Sequence, residues 1–209
     1  MAEAASDPQT VVPLNWEQTD LYRFFARVFA PPSHECFAFL AKPTAADDLG
    51  ELSAYVGYKN AGAEFAWFST YNLYESAYIS LFDVGLPEPV VPLFESAHDK
   101  THPAQELALE NTYFYEVMGL RSDPATGVPD YLVTQLEFLA AVSFTTDNSP
   151  DESTKAALTR AKLEFLERHL LNWLPAAAAK LDKTEAPGFP FLMNLLLHFL
   201  RREQCAGLQ

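Results

Sequence analysis

Apolar residues recur at steps of three and four over most of the chain, the spacing that places them on one face of an α-helix. The strongest patterns of this kind lie at residues 16–29, 103–118, 129–144 and 189–204. No stretch of useful length alternates between apolar and polar residues, and no glycine-flanked hairpin is present. The pattern therefore predicts an all-α fold, a single-domain bundle of roughly eight to ten helices.

One segment, Gly85–Ser96, breaks the helical pattern because three prolines fall within six positions. Each proline fixes its φ angle, lacks an N–H and disfavours helical geometry in the residue before it. We therefore predict an extended, stiff connector between two helical halves, within a hinge at residues 85–103. A loop of this length inside a compact domain is usually functional. The predicted domain organisation is a flexible N-terminal tail at residues 1–13 and a single helical domain at residues 14–209.

The segment before the connector, residues 61–82, is rich in aromatic residues and is predicted to form one long central helix. Tyr71, Tyr74 and Tyr78 lie on its main apolar stripe. Two interpretations are open. The stripe belongs to the hydrophobic core, or it lines a groove that binds an apolar peptide with basic flanks.

Charge and composition narrow the range of partners. The chain of 209 residues has 14 Lys and Arg against 28 Asp and Glu, for a formal net charge of -14. A nucleic-acid backbone or membrane surface as partner requires clustered Lys and Arg, so neither is predicted. The longest apolar run, residues 189–200, is too short to span a bilayer. Cys36 and Cys205 lack metal-site spacing, and the first residues do not resemble a secretory signal, so we expect a cytoplasmic protein.

Motifs of catalysis and cofactor binding are missing from the sequence. It contains no G-x-G-x-x-G, P-loop or G-x-S-x-G pattern, so we predict neither an enzyme nor a bound cofactor. His98 and His102 stand four residues apart with Asp99 between them. That spacing on a helix could hold a metal, so a small all-α metal or cofactor carrier is the alternative function. A nucleotide-binding regulator is a third possibility, although no phosphate-binding residues support it.

Four stretches in order resemble the TorD/DmsD/NarJ family of redox-enzyme maturation chaperones. LYRFFARVFAPP resembles the opening helix of that family, and EPVVPLFES resembles its E-P-x-x-P-x-Y/F-E-S signature. The residues that match this signature are Glu88, Pro89, Pro92, Phe94, Glu95 and Ser96. PDYLVTQLEFLAAV resembles the second signature, P-D-H-L-x-x-x-L-E-F-L, and FLERHLLNWLPAAA resembles a later stretch ending in H-x-x-x-W-x-P. The residues that match these two are Pro129, Asp130, Leu132, Leu136, Glu137, Phe138, Leu139, His169, Trp173 and Pro175.

The second signature departs from the family at one position, where Tyr131 replaces the usual histidine. The resemblance implies that the Asp-His pair helps to recognise the signal peptide of a client protein. Asp130 preserves the first half of that pair. Tyr131 keeps an aromatic face and a hydroxyl group but loses the charge change near neutral pH.

The resemblance implies a non-catalytic chaperone that binds the catalytic subunit of a molybdopterin-containing enzyme of the dimethyl-sulfoxide-reductase family. Such chaperones bind the client's twin-arginine signal peptide or another part of it in the cytoplasm, until the cofactor is inserted and the client is exported. The motif variants look most like the branch serving type II enzymes. Its clients include dehydrogenases of dimethyl sulfide or ethylbenzene, and chlorate or selenate reductases.

From the motifs and the aromatic stripe we predict a client-binding site with the connector as one wall and Asp130 and Tyr131 on the other. The predicted contact residues are Glu88, Pro89, Pro92, Phe94, Glu95, Ser96, Asp130, Tyr131, Tyr71, Tyr74 and Tyr78. Glu95 and Ser96 have a second interpretation, in which they cap the following segment and fix the loop. A stiff hinge can also favour domain swapping, so either a monomer or a domain-swapped dimer is expected.

Overall fold

The computed structural model describes residues 17–59, 65–120 and 128–207, and these residues contain α-helices and no β-strand. The predicted tail at residues 1–13 lies outside them. The helices are α1 (Gln18–Phe29), α2 (His34–Leu40), α3 (Ala45–Tyr55), α4 (Tyr71–Tyr78), α5 (Glu95–His98), α6 (Ala104–Val117), α7 (Leu132–Asn148), α8 (Glu152–Phe165), α9 (Leu171–Leu181) and α10 (Phe189–Ala206). The all-α prediction is confirmed.

Two π-helical turns, Ile79–Asp83 and Leu166–Leu170, extend this set of helices. The first continues α4, and the second joins α8 to α9 so that residues 152–181 form one helical run. A π turn carries one extra residue per turn and often occurs at functional positions.

The helices on either side of the connector share one hydrophobic core. Helix α1, which precedes the connector, packs against α7, which follows it. Helix α10 packs against α9, and both of these follow the connector. Phe25 of α1 stacks on Phe199 of α10 with ring centroids 5.9 Å apart. Because α10 buries apolar residues around most of its circumference, it lies inside the bundle, as its unbroken apolar run predicts.

The prediction of one long helix over residues 61–82 is wrong. Residues 65–70 are not helical, and α4 begins at Tyr71 after Thr70, whose hydroxyl accepts a hydrogen bond from the Leu73 amide. Trp67 instead packs its ring edge-on against Phe189 at the start of α10. Aromatic residues at helical spacing therefore reach the core from two different backbone conformations.

Two prolines do not act on the helices as their backbone chemistry predicts. Proline favours the first helical position, which predicts a helix start at Pro129, but α7 starts at Leu132 with Tyr131 at its N-cap position. Proline inside a helix usually kinks or breaks it, but α9 continues through Pro175 to Leu181. The π turn lies directly before residue 171, whose carbonyl loses its usual helical partner when residue 175 is a proline.

The connector lies outside the helices as far as Phe94, and α5 begins at Glu95. The prediction of a non-helical segment is therefore confirmed except at its last two residues, while its stiffness stays a prediction. A Cβ atom on Gly85 would lie 2.1 Å from the Glu88 carbonyl oxygen, so the tight turn that opens the connector requires glycine. Among the helices described, none has the combination of length and apolar character that crossing a membrane requires.

Two glycines give a matched test of this packing. Gly188 has a φ angle of 75°, and a Cβ there would lie 2.6 Å from Cε3 of Trp67, whereas a Cβ on Gly50 of α3 would meet nothing within 4 Å. We expect Gly188→Ala to lower the free energy of unfolding by about 1–3 kcal/mol. Gly50→Ala should raise it by about 0.5–1 kcal/mol, since alanine is the better helix former. Urea unfolding followed by circular dichroism measures both, and equal effects of the two changes would contradict the packing described.

Candidate functional site

The connector is joined to the start of α7 by backbone hydrogen bonds. The Leu132 amide donates to the Leu93 carbonyl at 2.9 Å, and the Glu95 amide donates to the Asp130 carbonyl at 2.9 Å. Phe94 and Tyr131 form an isolated antiparallel bridge between these bonds. The two signature motifs predicted as opposite walls are therefore parts of one continuous surface.

Asp130 strengthens this junction with its side chain. One carboxylate oxygen accepts a hydrogen bond from the Ser96 amide at 3.1 Å. That amide belongs to the first turn of α5, where helical N–H groups have no internal partner and a carboxylate is favourable. Because Asp130 is buried, its structural role is to fix the connector to α7.

Beneath the connector lies a buried polar cluster built around Glu95. It consists of Glu95, Asn111, Gln135 and His169, all fully buried and supplied by α5, α6, α7 and the second π turn. The Glu95 carboxylate accepts hydrogen bonds from Gln135 at 2.7 Å and from Asn111 at 3.0 Å. Nδ1 of His169 lies 3.0 Å from both carboxylate oxygens. These contacts favour the interpretation of Glu95 as a group that fixes the loop.

Tyr131 and Tyr78 connect this region to the end of α1. The hydroxyl of Tyr78 donates to the Phe29 carbonyl at 2.9 Å, the Tyr131 hydroxyl lies 3.2 Å from the same oxygen, and the two hydroxyls are 3.2 Å apart. Burial raises the pKa of the Tyr131 phenol, and the charges of Asp83 and Glu137 raise it further. Tyr131 therefore stays neutral at physiological pH, as expected of a tyrosine in place of a histidine.

His98 connects the connector to Trp173, which belongs to the last of the four motifs. Its Nε2 lies 2.7 Å from the Pro92 carbonyl oxygen, and its ring stacks on Trp173 with centroids 5.2 Å apart. Burial lowers the pKa of His98. Through the contacts of Phe29, Pro92, Tyr131 and Trp173, the four stretches that carry the family resemblance meet in three dimensions.

The structure separates the predicted contact residues by exposure. Five are buried and so do not face a client in this conformation: Tyr74, Tyr78, Pro92, Glu95 and Asp130. The prediction of direct contact is corrected for these five, because their side chains pack or bond inside the fold. Five are partly buried: Tyr71, Pro89, Phe94, Ser96 and Tyr131. Glu88 is exposed.

Tyr71 does not share the surface of the connector. Its ring stacks on His34 with centroids 3.7 Å apart, and its hydroxyl donates to the Pro32 carbonyl at 3.2 Å. These partners belong to α2 and the turn before it. Tyr74 packs on Phe189 in the core, so the aromatic stripe serves mainly as core.

A group of exposed apolar side chains lies in and just before the connector, which the motifs did not reveal. We call it the connector patch, and it consists of Ile79, Val84, Leu86 and Val90, of which Leu86 is fully exposed. Asp83 and Glu88 are exposed within the same stretch of chain, and Glu137 is exposed on the first turns of α7. The local sequence does not distinguish these residues, because Val91 and Leu93 stand beside Pro92 in the same non-helical segment and are buried. Exposed apolar surface flanked by carboxylates is suited to binding a basic, apolar peptide.

The alternative metal site does not form. His98 is directed to the Pro92 carbonyl, while Nδ1 of His102 lies 2.8 Å from the Asp99 carboxylate. Across the part of the chain that the structure describes, no three His, Cys, Asp or Glu side chains are grouped as metal ligands. Although burial opposes it, hydrogen bonds from His102 and Thr101 hold the pKa of Asp99 below its usual range. This pair therefore stabilises the turn before α6.

Comparison with known proteins gives consistent results. The family model described as nitrate reductase delta subunit matches residues 44–179. The perchlorate reductase assembly chaperone protein of Dechloromonas aromatica (strain RCB) is 31% identical over 130 residues, covering 61% of this chain and 58% of the relative. The selenate reductase assembly chaperone protein of Thauera selenatis is 30% identical over 119 residues, covering 56% and 62%.

A more distant relative, the chaperone protein TorD of Vibrio cholerae serotype O1 (strain ATCC 39315 / El Tor Inaba N16961), is 29% identical over 76 residues, covering 36% of this chain and 34% of the relative. The matches to the two reductase chaperones span about three fifths of the length of those relatives. The names of these relatives are names of chaperones and agree with the resemblance drawn from the motifs. They also agree with the prediction that the family is not catalytic.

The Glu95 cluster predicts a large effect of truncation. Glu95→Ala removes the carboxylate that accepts from the buried amides of Asn111 and Gln135 and lies beside Nδ1 of His169, and we expect it to lower the free energy of unfolding by about 3 kcal/mol or more. Glu88→Ala removes an exposed carboxylate and should change the free energy of unfolding by less than about 0.5 kcal/mol. Urea unfolding measures the difference, and equal stabilities of the two variants would contradict a structural role for Glu95.

The buried tyrosines predict alkaline instability. Burial raises the pKa of the phenols of Tyr22, Tyr74, Tyr78, Tyr115 and Tyr131. Their unfolded pKa is about 10, so the folded state binds these protons more tightly. The contribution of these tyrosines to the free energy of unfolding should be fully present below about pH 10 and should be lost as the pH rises further. Urea unfolding across this range measures the loss, and ordinary titration of all tyrosine absorbance in the native protein would refute the burial.

Proposed function

The chain belongs to the nitrate reductase delta subunit family, and from this we propose that it is an assembly chaperone for the catalytic subunit of a redox enzyme. The client is a molybdopterin-containing enzyme of the dimethyl-sulfoxide-reductase family. The chaperone binds it in the cytoplasm, at its twin-arginine signal peptide, and holds it while the cofactor is inserted. The observation that carries the proposal is the connector patch, an exposed apolar surface beside carboxylates on a fixed backbone.

The apolar part of the patch supplies the binding free energy. Covering about 300 Å² of apolar surface is worth roughly 7 kcal/mol before the costs of association and ordering. Those costs take up much of this gain, which leaves a modest affinity. A chaperone that releases its client after assembly requires an affinity of that kind. The partly buried side chains of Pro89, Phe94 and Tyr131 extend the patch towards α7.

The exposed carboxylates near the patch favour a peptide with positively charged side chains. Asp83, Glu88 and Glu137 are exposed carboxylates, and a twin-arginine signal peptide places two guanidinium groups beside an apolar segment. Guanidinium and carboxylate groups form paired, charge-assisted hydrogen bonds. Asp83 and Glu88 lie among the apolar residues of the patch, which supports a partner that carries both positive charge and apolar side chains.

Rigidity of the connector supports the proposal as well. Its end is held by backbone bonds to Asp130 and Leu132 and by the buried carboxylate of Glu95. A surface that is already ordered loses less conformational entropy when a peptide binds. The buried signature residues therefore contribute to binding by fixing the exposed ones in place.

A synthetic twin-arginine signal peptide with a fluorescent label tests this proposal by anisotropy titration. We expect saturable binding to the full chain, weakened roughly three- to tenfold by Asp83→Asn/Glu88→Gln, since exposed charge pairs contribute about 0.2–1 kcal/mol each. Leu86→Ser should weaken it further because it removes apolar contact. A peptide with both arginines replaced by glutamine should bind less tightly to the unchanged protein.

The matched control is Asp47→Asn/Glu51→Gln on α3, which makes the same change of net charge at exposed positions away from the patch. It should leave the affinity unchanged apart from the small effect of net charge. The proposal fails if no twin-arginine peptide binds saturably, or if the α3 control weakens binding as much as the patch variant.

A further inference from the structure

The helix α6 is apolar on two sides. Its inner side contributes Leu107 and Phe114 to the core. Its outer side carries Leu109, Tyr113 and Val117, whose relative exposures are 70%, 65% and 63%. We call these three residues the α6 stripe. Residues four apart lie one above the other on a helix, so the stripe is continuous and about 12 Å long.

The fold uses only the inner side of α6. Asn111 and Tyr115 bond to Glu95 and to the Pro129 carbonyl, which fixes α6 beneath the connector and α7. A polar outer face would serve that purpose equally well, because surface helices normally present polar residues to solvent. Three large apolar side chains aligned on one exposed face are instead typical of a binding surface.

The charges around the stripe indicate what binds there. Glu106 and Glu116 are exposed beside it, and the sequence of α6 contains no Lys or Arg. Glu110, on the same helix, pairs with Arg168 of the second π turn. A symmetric contact between two copies would bring the free carboxylates of one α6 close to those of the other, which is unfavourable. The acidic border therefore favours a partner with positive charge.

We propose that the α6 stripe is a docking surface for a basic amphipathic helix of a partner protein, one with apolar residues at steps of three and four between lysines or arginines. The helix lies along α6 and contacts Leu109, Tyr113 and Val117, while its cations face Glu106 and Glu116. This mode of recognition uses aligned apolar anchors on one helix face. The α6 stripe shares no residue with the connector patch, and the proposal does not depend on twin-arginine peptide binding there.

A synthetic helical peptide with leucines at i, i+4 and i+7 and lysines elsewhere is the probe, titrated by fluorescence anisotropy. We expect saturable binding to the full chain, at least tenfold weaker for Leu109→Ser/Val117→Ser. Glu106→Gln/Glu116→Gln should weaken it less and reduce its dependence on salt. A peptide with the same leucines between glutamates should not bind saturably.

Leu73→Ser on α4 is the matched control, since Leu73 is an exposed leucine outside the stripe with a relative exposure of 55%. The Leu73→Ser variant should bind the lysine peptide as tightly as the unchanged protein does. Circular dichroism and thermal unfolding establish that the stripe variants are folded, which their exposure predicts. An excess of the twin-arginine peptide should not displace the lysine peptide, since the two peptides are proposed to bind different residues.

Four results would overturn the proposal. The first two are that the lysine peptide fails to bind saturably, and that the stripe variant binds this peptide as tightly as the unchanged protein does. The third is that the glutamate peptide binds as well as the lysine peptide, because the argument from charge would then fail. The fourth is that sedimentation detects a concentration-dependent dimer that the stripe variant abolishes, because this face would then belong to a second copy of the chain. Loss of twin-arginine peptide binding by itself would contradict only the function proposed for the connector patch.

Discussion

The buried carboxylate of Glu95 is the constraint on which the rest of this region depends. A carboxylate removed from water is strongly destabilising unless hydrogen-bond donors surround it. Here the donors come from α6, α7 and the π turn between α8 and α9, so these elements are held at fixed positions around α5. His169 lies in that π turn and is buried there.

The position of the connector follows from this arrangement. Glu95 is at the end of the connector, so fixing its side chain fixes the backbone that pairs with Asp130 and Leu132. The hydroxyl groups of Tyr78 and Tyr131 then attach the same junction to the end of α1. Carboxylates consequently have two roles in this region. The buried ones hold the fold together, and the exposed ones, Asp83 and Glu88, are available to a partner.

The helix α6 combines a role in the fold with the surface proposed for a partner. Its inner side supplies Asn111 to the Glu95 cluster, and its outer side presents the stripe. A helix held firmly from within offers a surface that does not need to be ordered when a partner binds. The connector patch has the same property for the same reason. The acidic net charge of the chain is in keeping with the basic partners proposed for both surfaces.

Local sequence pattern was enough to predict the helical class, the bounds of α6 and α10 to within a few residues, and the place of the connector. These features depend on local periodicity and on the backbone chemistry of proline, which do not require knowledge of the fold. Four ordered motifs also identified the family. Local pattern could not reveal that Trp67 lies outside a helix or that α9 continues through Pro175, since distant packing decides both. It also could not distinguish Glu95, which is buried, from Glu88, which is exposed, although the two residues are in one motif. The packing of the helices makes this difference, because the burial of a carboxylate depends on which other helices supply hydrogen-bond donors around it.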